Sequence, residues 1–243
     1  MTTVYEKLRD RLDMFPQGFP KTESGVELEI LKRLFSEEEA EIALYMKPLP
    51  EKVADIARRA GKDEKKLGEM LYDMSKRGLI LRWQAPDNER YYFLIPWIIG
   101  IFEHQLNNLS KENVELFEKF YNEGMSPEWK NRKTGMVRVI PVQKEIEGRT
   151  EIQPYEKVSE IIEKHTRFAV AECICRKAAK VQGHGCDKLL EACLSFGPGA
   201  DFYIENGIGR EITKEEAKKI LAKAEEDGLV HCSTNKAGTK TFI

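Results

Sequence analysis

Apolar residues recur at helical spacing over most of the first eighty positions and shift to short runs beyond. After a turn-rich entry, Phe15-Pro16-Gln17-Gly18-Phe19-Pro20, Ser24 can cap a helix carrying Val26, Leu28, Ile30, Leu31, Leu34 and Phe35. Ser36 and Glu39 have the spacing of a capping box, opening a second helix with Ala40, Ala43 and Leu44 on its apolar side. A short helix over Val53–Ala57 is stopped by Gly61. Another starts at Asp63, places Leu67, Met70, Leu71 and Met74 on one face, and stops at Gly78. Leu79–Trp83 and Tyr91–Leu94 then read as two strands around a polar turn, residues 85–90. Helix, turn, helix and hairpin in this order predict a winged helix-turn-helix.

Further along, Ser110 can cap a helix through Val114, Leu116, Phe117, Phe120 and Tyr121, ending near Asn122-Glu123-Gly124. The polar stretch Met125–Gly135 reads as the boundary, with domains over 1–124 and 125–243. The second half reads as a small α/β domain. Met136–Val142 alternates like a strand, Pro154 opens a helix through Val158, Ile161 and Ile162, and Phe168–Ala171 is a short strand. Phe202–Ile204 is expected as a further strand. Thr213 and Glu216 cap a helix through Ala217, Ile220, Leu221 and Ala224, closed at Gly228. Leu229–His231 and Thr239–Ile243 are expected to pair as a final hairpin. The whole is α+β.

Cysteine distribution changes this picture. Four of the five cysteines fall in one short segment, as Cys173-x-Cys175, Cys186 and Cys193. Thiolates are the ligands of zinc and of iron–sulfur clusters, and the flanking Gly183, Gly185, Gly197 and Gly199 let backbone fold around a bound object. The segment is therefore expected to be a metal site with all four cysteines as ligands. The residues Met1–Asp10 are charged and make no signal peptide, and no apolar run reaches membrane-spanning length. A cytoplasmic location with reduced thiols follows as the expectation, which disfavours disulfides. Cys232, apart from the cluster, is expected as a packed thiol. His104 is expected as a partly packed histidine and His184 as a loop histidine, with replacement of one cysteine ligand as the alternative for His184.

Zinc and a [4Fe–4S] cluster both remain open. Asp187–Cys193 reads as a short helix, which sets the Cα atoms of Cys186 and Cys193 roughly 10 Å apart. Tetrahedral zinc needs its sulfurs within about 4 Å of one another, so the span favours a cluster. The absence of Cys-x2-Cys knuckles points the same way. Arg176 is expected to offset the site's negative charge, and the helix after Cys186 to aim its positive end at it.

Charge narrows the partners. Formal net charge is −2, so no global field recruits nucleic acid or anionic lipid. In the Asp63–Arg77 helix the four basic residues (Lys65, Lys66, Lys76, Arg77) are matched by Asp63, Glu64, Glu69 and Asp73, unlike a helix laid on phosphates. DNA binding is accordingly the minor expectation and docking of a redox partner protein the major one. No catalytic acid–base constellation and no phosphate-cradling loop stands out. Gly207-Ile208-Gly209-Arg210 lacks the third glycine of a dinucleotide fingerprint.

Phe15-Pro16-x-Gly18-x-Pro20, the run Ser24–Leu31, Cys173-x-Cys175-Arg176, Gly207-x-Gly209-Arg210 and Gly228-Leu229-Val230-His231 together resemble a family of 4Fe–4S ferredoxin-type proteins of anaerobic microbes. The likeness covers most of the chain. It implies an iron–sulfur protein with a winged-helix-like front end and ligand roles for Cys173, Cys175, Cys186 and Cys193. Relatives of this type commonly continue into a tail of Cys-x2-Cys-x2-Cys-x3-Cys motifs. This chain ends at Ile243 without one, so it is expected either to be cut short or to lack the conventional clusters. The reading that results is one [4Fe–4S] cluster serving electron transfer or redox sensing beside a partner oxidoreductase. The alternatives are a metal- or redox-responsive winged-helix transcription regulator and a zinc-stabilised interaction module.

Overall fold

A computed structural model of the chain describes residues 2–85, 88–133, 137–139 and 158–234. It is α+β and divides into two units, Met1–Thr134 and Gly135–Ile243.

The first unit opens on a helix that hydrophobic spacing did not reveal, α1 (Val4–Asp13). Thr3 and Glu6 cap it reciprocally, and its buried stripe is only Tyr5, Leu8 and Leu12. Helix α2 (Val26–Leu34) follows. Gly25 rather than Ser24 precedes its first turn, in the left-handed region at φ 71°, and the Ser24 hydroxyl instead donates to Glu123. Helix α3 (Glu37–Tyr45) has both arms of the predicted box, Ser36 accepting from the Glu39 N–H at 3.3 Å and Glu39 from the Ser36 N–H at 2.8 Å.

Strand β1 (Glu51–Lys52), helix α4 (Val53–Ala60) and helix α5 (Glu64–Lys76) come next. Gly61 terminates α4 at φ 64° and Asp63 caps α5 by accepting from the Lys66 N–H. Strands β2 (Leu81–Gln84) and β3 (Arg90–Phe93) form an antiparallel hairpin, and β1 adds to the far edge of β3, giving the order β1-β3-β2. Ile56, Leu67, Leu71, Met74, Ile80, Tyr92 and Leu94 are buried, which accounts for the helical and strand periodicities of this stretch.

Helix α6 (Lys111–Phe120) is capped by Ser110 but does not stop at Asn122–Gly124. It widens into a π-helical turn, Tyr121–Met125, and continues as α7 (Ser126–Lys130). Gly124 is there for space: a Cβ would sit 3.0 Å from the Phe120 ring and 3.1 Å from Thr22 Cγ2. A glycine that ends helices elsewhere is here a close-packing position.

In the second unit, β4 (Val137–Val139) pairs antiparallel with β8 (Cys232–Thr234). Helix α8 (Val158–Glu163) leads to β5 (Phe168–Glu172). Strand β5 is the centre of a second antiparallel sheet, with β6 (Glu191–Phe196) on one side and β7 (Arg210–Glu211) on the other. Helix α9 (Ile174–Val181) leaves the end of β5, α10 (Pro198–Glu205) follows β6, and α11 (Lys214–Glu226) follows β7. Ile161, Ile162, Phe168, Val170, Leu194, Phe196, Ile212 and Ala217 form the core under this sheet.

Three expectations are corrected here. Phe202–Ile204 lies inside α10, because Pro198 presets the first helical turn and Phe202 and Tyr203 fall on its buried face. The expected helix over Asp187–Cys193 does not form; residues 182–190 are a loop and Cys193 is in β6. The strand after α11 is Cys232–Thr234 rather than Leu229–His231, and its partner is β4. Residues 140–157 and 235–243, which hold the rest of the Met136–Val142 strand, the Pro154 helix start and the Thr239–Ile243 strand, lie outside the described residues.

Candidate metal centre

The site is built where β5 runs into α9. The Val170 and Ala171 positions of β5 pair with Leu194 and Cys193 of β6, and the register slips between Ala171 and Glu172. Pairing resumes beyond that irregularity at Glu172 and Glu191, and the chain then leaves the sheet at Cys173. Cys173 then occupies the N-cap of α9, with its N–H donating to the Leu190 carbonyl at 2.8 Å. Cys175 lies in the first turn of α9, and Cys193 sits on β6 opposite the end of β5. Two thiols from one helix start and one from the neighbouring strand are thus brought to a single corner.

Cys173 is the electrostatic centre of that corner. Its thiol is held far below the ordinary range, first by hydrogen bonds from Cys175 and Cys193, then by the backbone N–H and the charge of Arg176. Burial opposes the shift and is outweighed. The start of α9 aims its positive end at this sulfur, the role expected of a helix after Cys186. Arg176 also donates from Nη1 to the Leu189 carbonyl at 2.9 Å, so it joins the helix to the loop that carries Cys186.

Cys186 is exposed on that loop and is not among the thiols that contact Cys173. Among the described residues, no group of three or more Cys, His, Asp or Glu side chains is arranged to hold a metal ion as it stands. The loop nevertheless packs tightly on one side. At Gly185 a Cβ would lie 2.3 Å from Lys180 Cγ and 3.0 Å from the Lys180 Cα, so only glycine lets the chain fold back on α9. His184 is exposed and hydrogen-bonds Gln182 at 2.8 Å. The donor types suit a thiolate-bound metal: Cys175 and Cys193 each contact Cys173, Arg176 offsets charge there, and a fourth thiol, Cys186, is on the adjoining loop.

Comparison with protein-family models, curated proteins and solved structures found no match for this chain. The functional reading therefore rests on the chemistry of its own residues.

Cys232 takes no part in this corner. It is partly buried on β8 opposite Val139, and burial raises its thiol above the ordinary value. Sequence reasoning missed one participant, Asp227, at the end of α11. Its carboxylate accepts from the Leu189 N–H at 2.8 Å. A carboxylate just past a helix C-terminus opposes the helix dipole, and that mismatch was a usable signal.

The first unit carries an open groove of about 640 Å³ between α4, α5 and the hairpin. Lys52, Lys65 and Arg90 line it together with Glu64, Glu69 and Glu89. Tyr72 lies between two guanidinium groups, Arg82 at 5.3 Å and Arg90 at 5.0 Å from its ring centre.

Proposed function

We propose that the chain is an iron–sulfur protein binding one [4Fe–4S] cluster through Cys173, Cys175, Cys186 and Cys193. It would serve electron transfer or redox sensing beside a partner oxidoreductase. The observation that carries this reading is the placement of Cys173 and Cys175 at the start of α9 beside Cys193 on the facing strand, with Arg176 next to them. A bound cluster supplies reversible one-electron storage; the residues supply ligands, a compensating charge and a partly dehydrated corner. Arg176 would raise the reduction potential by offsetting negative charge on the sulfurs. Resemblance to the 4Fe–4S ferredoxin-type family belongs to the same proposal.

The first unit is proposed as a winged helix used for docking that partner. The order α3, β1, α4, α5, hairpin, with the sheet order β1-β3-β2, supports the assignment. DNA is disfavoured by pairing within α5 and its neighbours: Arg77 is held by Asp73 and Glu39, and the groove beside α5 alternates in sign. Such a surface suits a protein with complementary mixed charge.

One observation favours a second reading, a zinc-stabilised interaction module. The spacing argument for a cluster relied on a helix between Cys186 and Cys193 that is absent. Contacts of Cys173 with Cys175 and Cys193 also suit the close sulfurs that a tetrahedral zinc thiolate needs. Anaerobic purification with iron, zinc and acid-labile sulfide measured together decides between them. About four irons and four sulfides per chain, with a visible band that bleaches on reduction, is the expected result. One zinc and no sulfide selects the second reading. For the winged unit, retention on DNA at low ionic strength would overturn the docking assignment.

A further inference from the structure

The loop between Cys186 and Cys193 has no secondary structure of its own, yet one of its peptide units is held from both sides. The Leu189 N–H donates to the Asp227 carboxylate at 2.8 Å, and the Leu189 carbonyl accepts from Arg176 Nη1 at 2.9 Å. The next carbonyl, Leu190, accepts from the Cys173 N–H at 2.8 Å. Lys188 Nζ donates to the Asp227 backbone carbonyl, which draws the loop again toward the end of α11. Asp227 is itself kept in place by Lys223, 3.2 Å away and one helical turn back.

Within its own helix the Asp227 carboxylate has one use, the pair with Lys223 one turn back. It sits at the C-terminal cap of α11, where the helix dipole favours cations, and Gly228 at φ 69° already supplies the turn that ends the helix. Its acceptor is used across 38 residues of sequence, on the loop. A local rule broken in favour of a distant contact marks a position chosen for the site it serves.

We propose that Asp227 is a positioning residue of the metal centre. With Arg176 it clasps the Leu189 peptide unit and so fixes one end of the Cys186 loop. The other end, Gly183–Gly185, turns at Gly183 with φ 82° and packs on α9 at Gly185. Cys186 lies between these two anchors, so the Leu189 clasp sets its reach toward the corner formed by Cys173, Cys175 and Cys193. The inference rests on the proposed metal-binding role of those four cysteines.

The test uses the full chain in four forms: wild type, Asp227→Ala, Asp227→Asn and, as a neighbouring control, Glu226→Ala. Hydrogen exchange at the Leu189 amide is measured on metal-free reduced protein. Release of iron to a chelator is measured on anaerobically loaded protein. Asp227→Ala is expected to lose protection at Leu189 and to release iron about tenfold or more faster, the range typical for an outer contact of a metal ligand set. Asp227→Asn, whose amide oxygen still accepts, is expected to recover most of both properties, and Glu226→Ala to match wild type. A general loss of fold would not be rescued by asparagine. Wild-type protection at Leu189 in Asp227→Ala, or wild-type iron release from it, overturns the clasp while leaving the metal reading intact. Wild type that binds zinc alone overturns the cluster reading, and zinc release then replaces iron release in the same comparison. Wild type that binds neither metal overturns both.

Discussion

His104 is fully buried beside Gly78, and its Nδ1–H donates to the Gly78 carbonyl at 3.3 Å. Burial pushes its pKa down from 6.5 to about 4, against the smaller opposing pull of that carbonyl. Because the folded pKa is depressed, the unfolded chain binds the proton more readily. Stability is therefore unaffected above about pH 6.5 and falls as pH drops from 6.5 toward 4. At about 1.4 kcal/mol per pH unit, the loss is about 2 kcal/mol at pH 5 and about 3 kcal/mol near pH 4. Trp83, Trp97 and Trp129 all belong to the first unit, so tryptophan fluorescence during urea unfolding follows that unit alone. His104 is also its one histidine. Glu51, whose carboxyl is lowered by hydrogen bonds and charge from Arg59 and Lys47 against the opposing effect of burial, loses its contribution only below the ordinary carboxylate range. Between pH 6.5 and 5 the slope thus belongs to His104. His104→Gln, uncharged at every pH, should be flat across this window whatever its absolute stability. Parallel decline of wild type and His104→Gln would refute the argument.

Three other outcomes follow from the geometry. Gly78→Ala combines a φ of +75° with a Cβ only 2.3 Å from the His104 Cβ, and should cost about 2–5 kcal/mol in the same unfolding assay. Serine at Cys173, Cys175, Cys186 or Cys193 should lower bound metal per chain, measured by elemental analysis, whereas Cys232→Ser should retain it because Cys232 is not among the thiols acting on Cys173. Gly185→Ala should leave the tryptophan-monitored unfolding unchanged yet speed metal release, because a Cβ there collides with Lys180 and lifts the Cys186 loop off α9.

Helices α2 to α6, α11 and the first hairpin were legible because each carries a local signal that burial reinforces. Ser36 with Glu39, Asp63, Ser110 and Thr213 all act as caps, and Gly61 and Gly228 both stop helices at positive φ. The misreadings share a cause: the deciding partner is remote in sequence. Gly124 looks like a helix stop until Phe120 and Thr22 are packed against it. Phe202-Tyr203-Ile204 is too short a run to show its period, and Pro198 settles it as helix. Asp187–Leu190 has helical composition, but Arg176, Asp227 and the Cys173 N–H take its backbone groups, so the segment stays a loop. For the proposed site, spacing singles out the four cysteines and Arg176; the placing of Cys193 beside Cys173 is not legible there, because it depends on pairing β6 with β5.

On the proposed reading, a bound metal would be part of the second unit's stability. The apolar cluster under the β5–β7 sheet does not include the Cys186 loop, which contributes no regular hydrogen-bonded structure. Without metal, the thiol corner keeps the hydrogen bonds of Cys175 and Cys193 to Cys173 and the backbone N–H and nearby charge of Arg176. Ligands that bind only the folded form stabilise it by mass action, about 4 kcal/mol at a thousand times the dissociation constant. Metal removal should therefore lower the unfolding midpoint of the second unit, followed by exchange of the Val170 and Leu194 amides within β5 and β6. The first unit contains none of the four proposed ligands and should unfold at an unchanged urea concentration by tryptophan fluorescence. Equal destabilisation of both signals would show that the two units unfold as one, and no change in either would show that the thiol corner stands without metal.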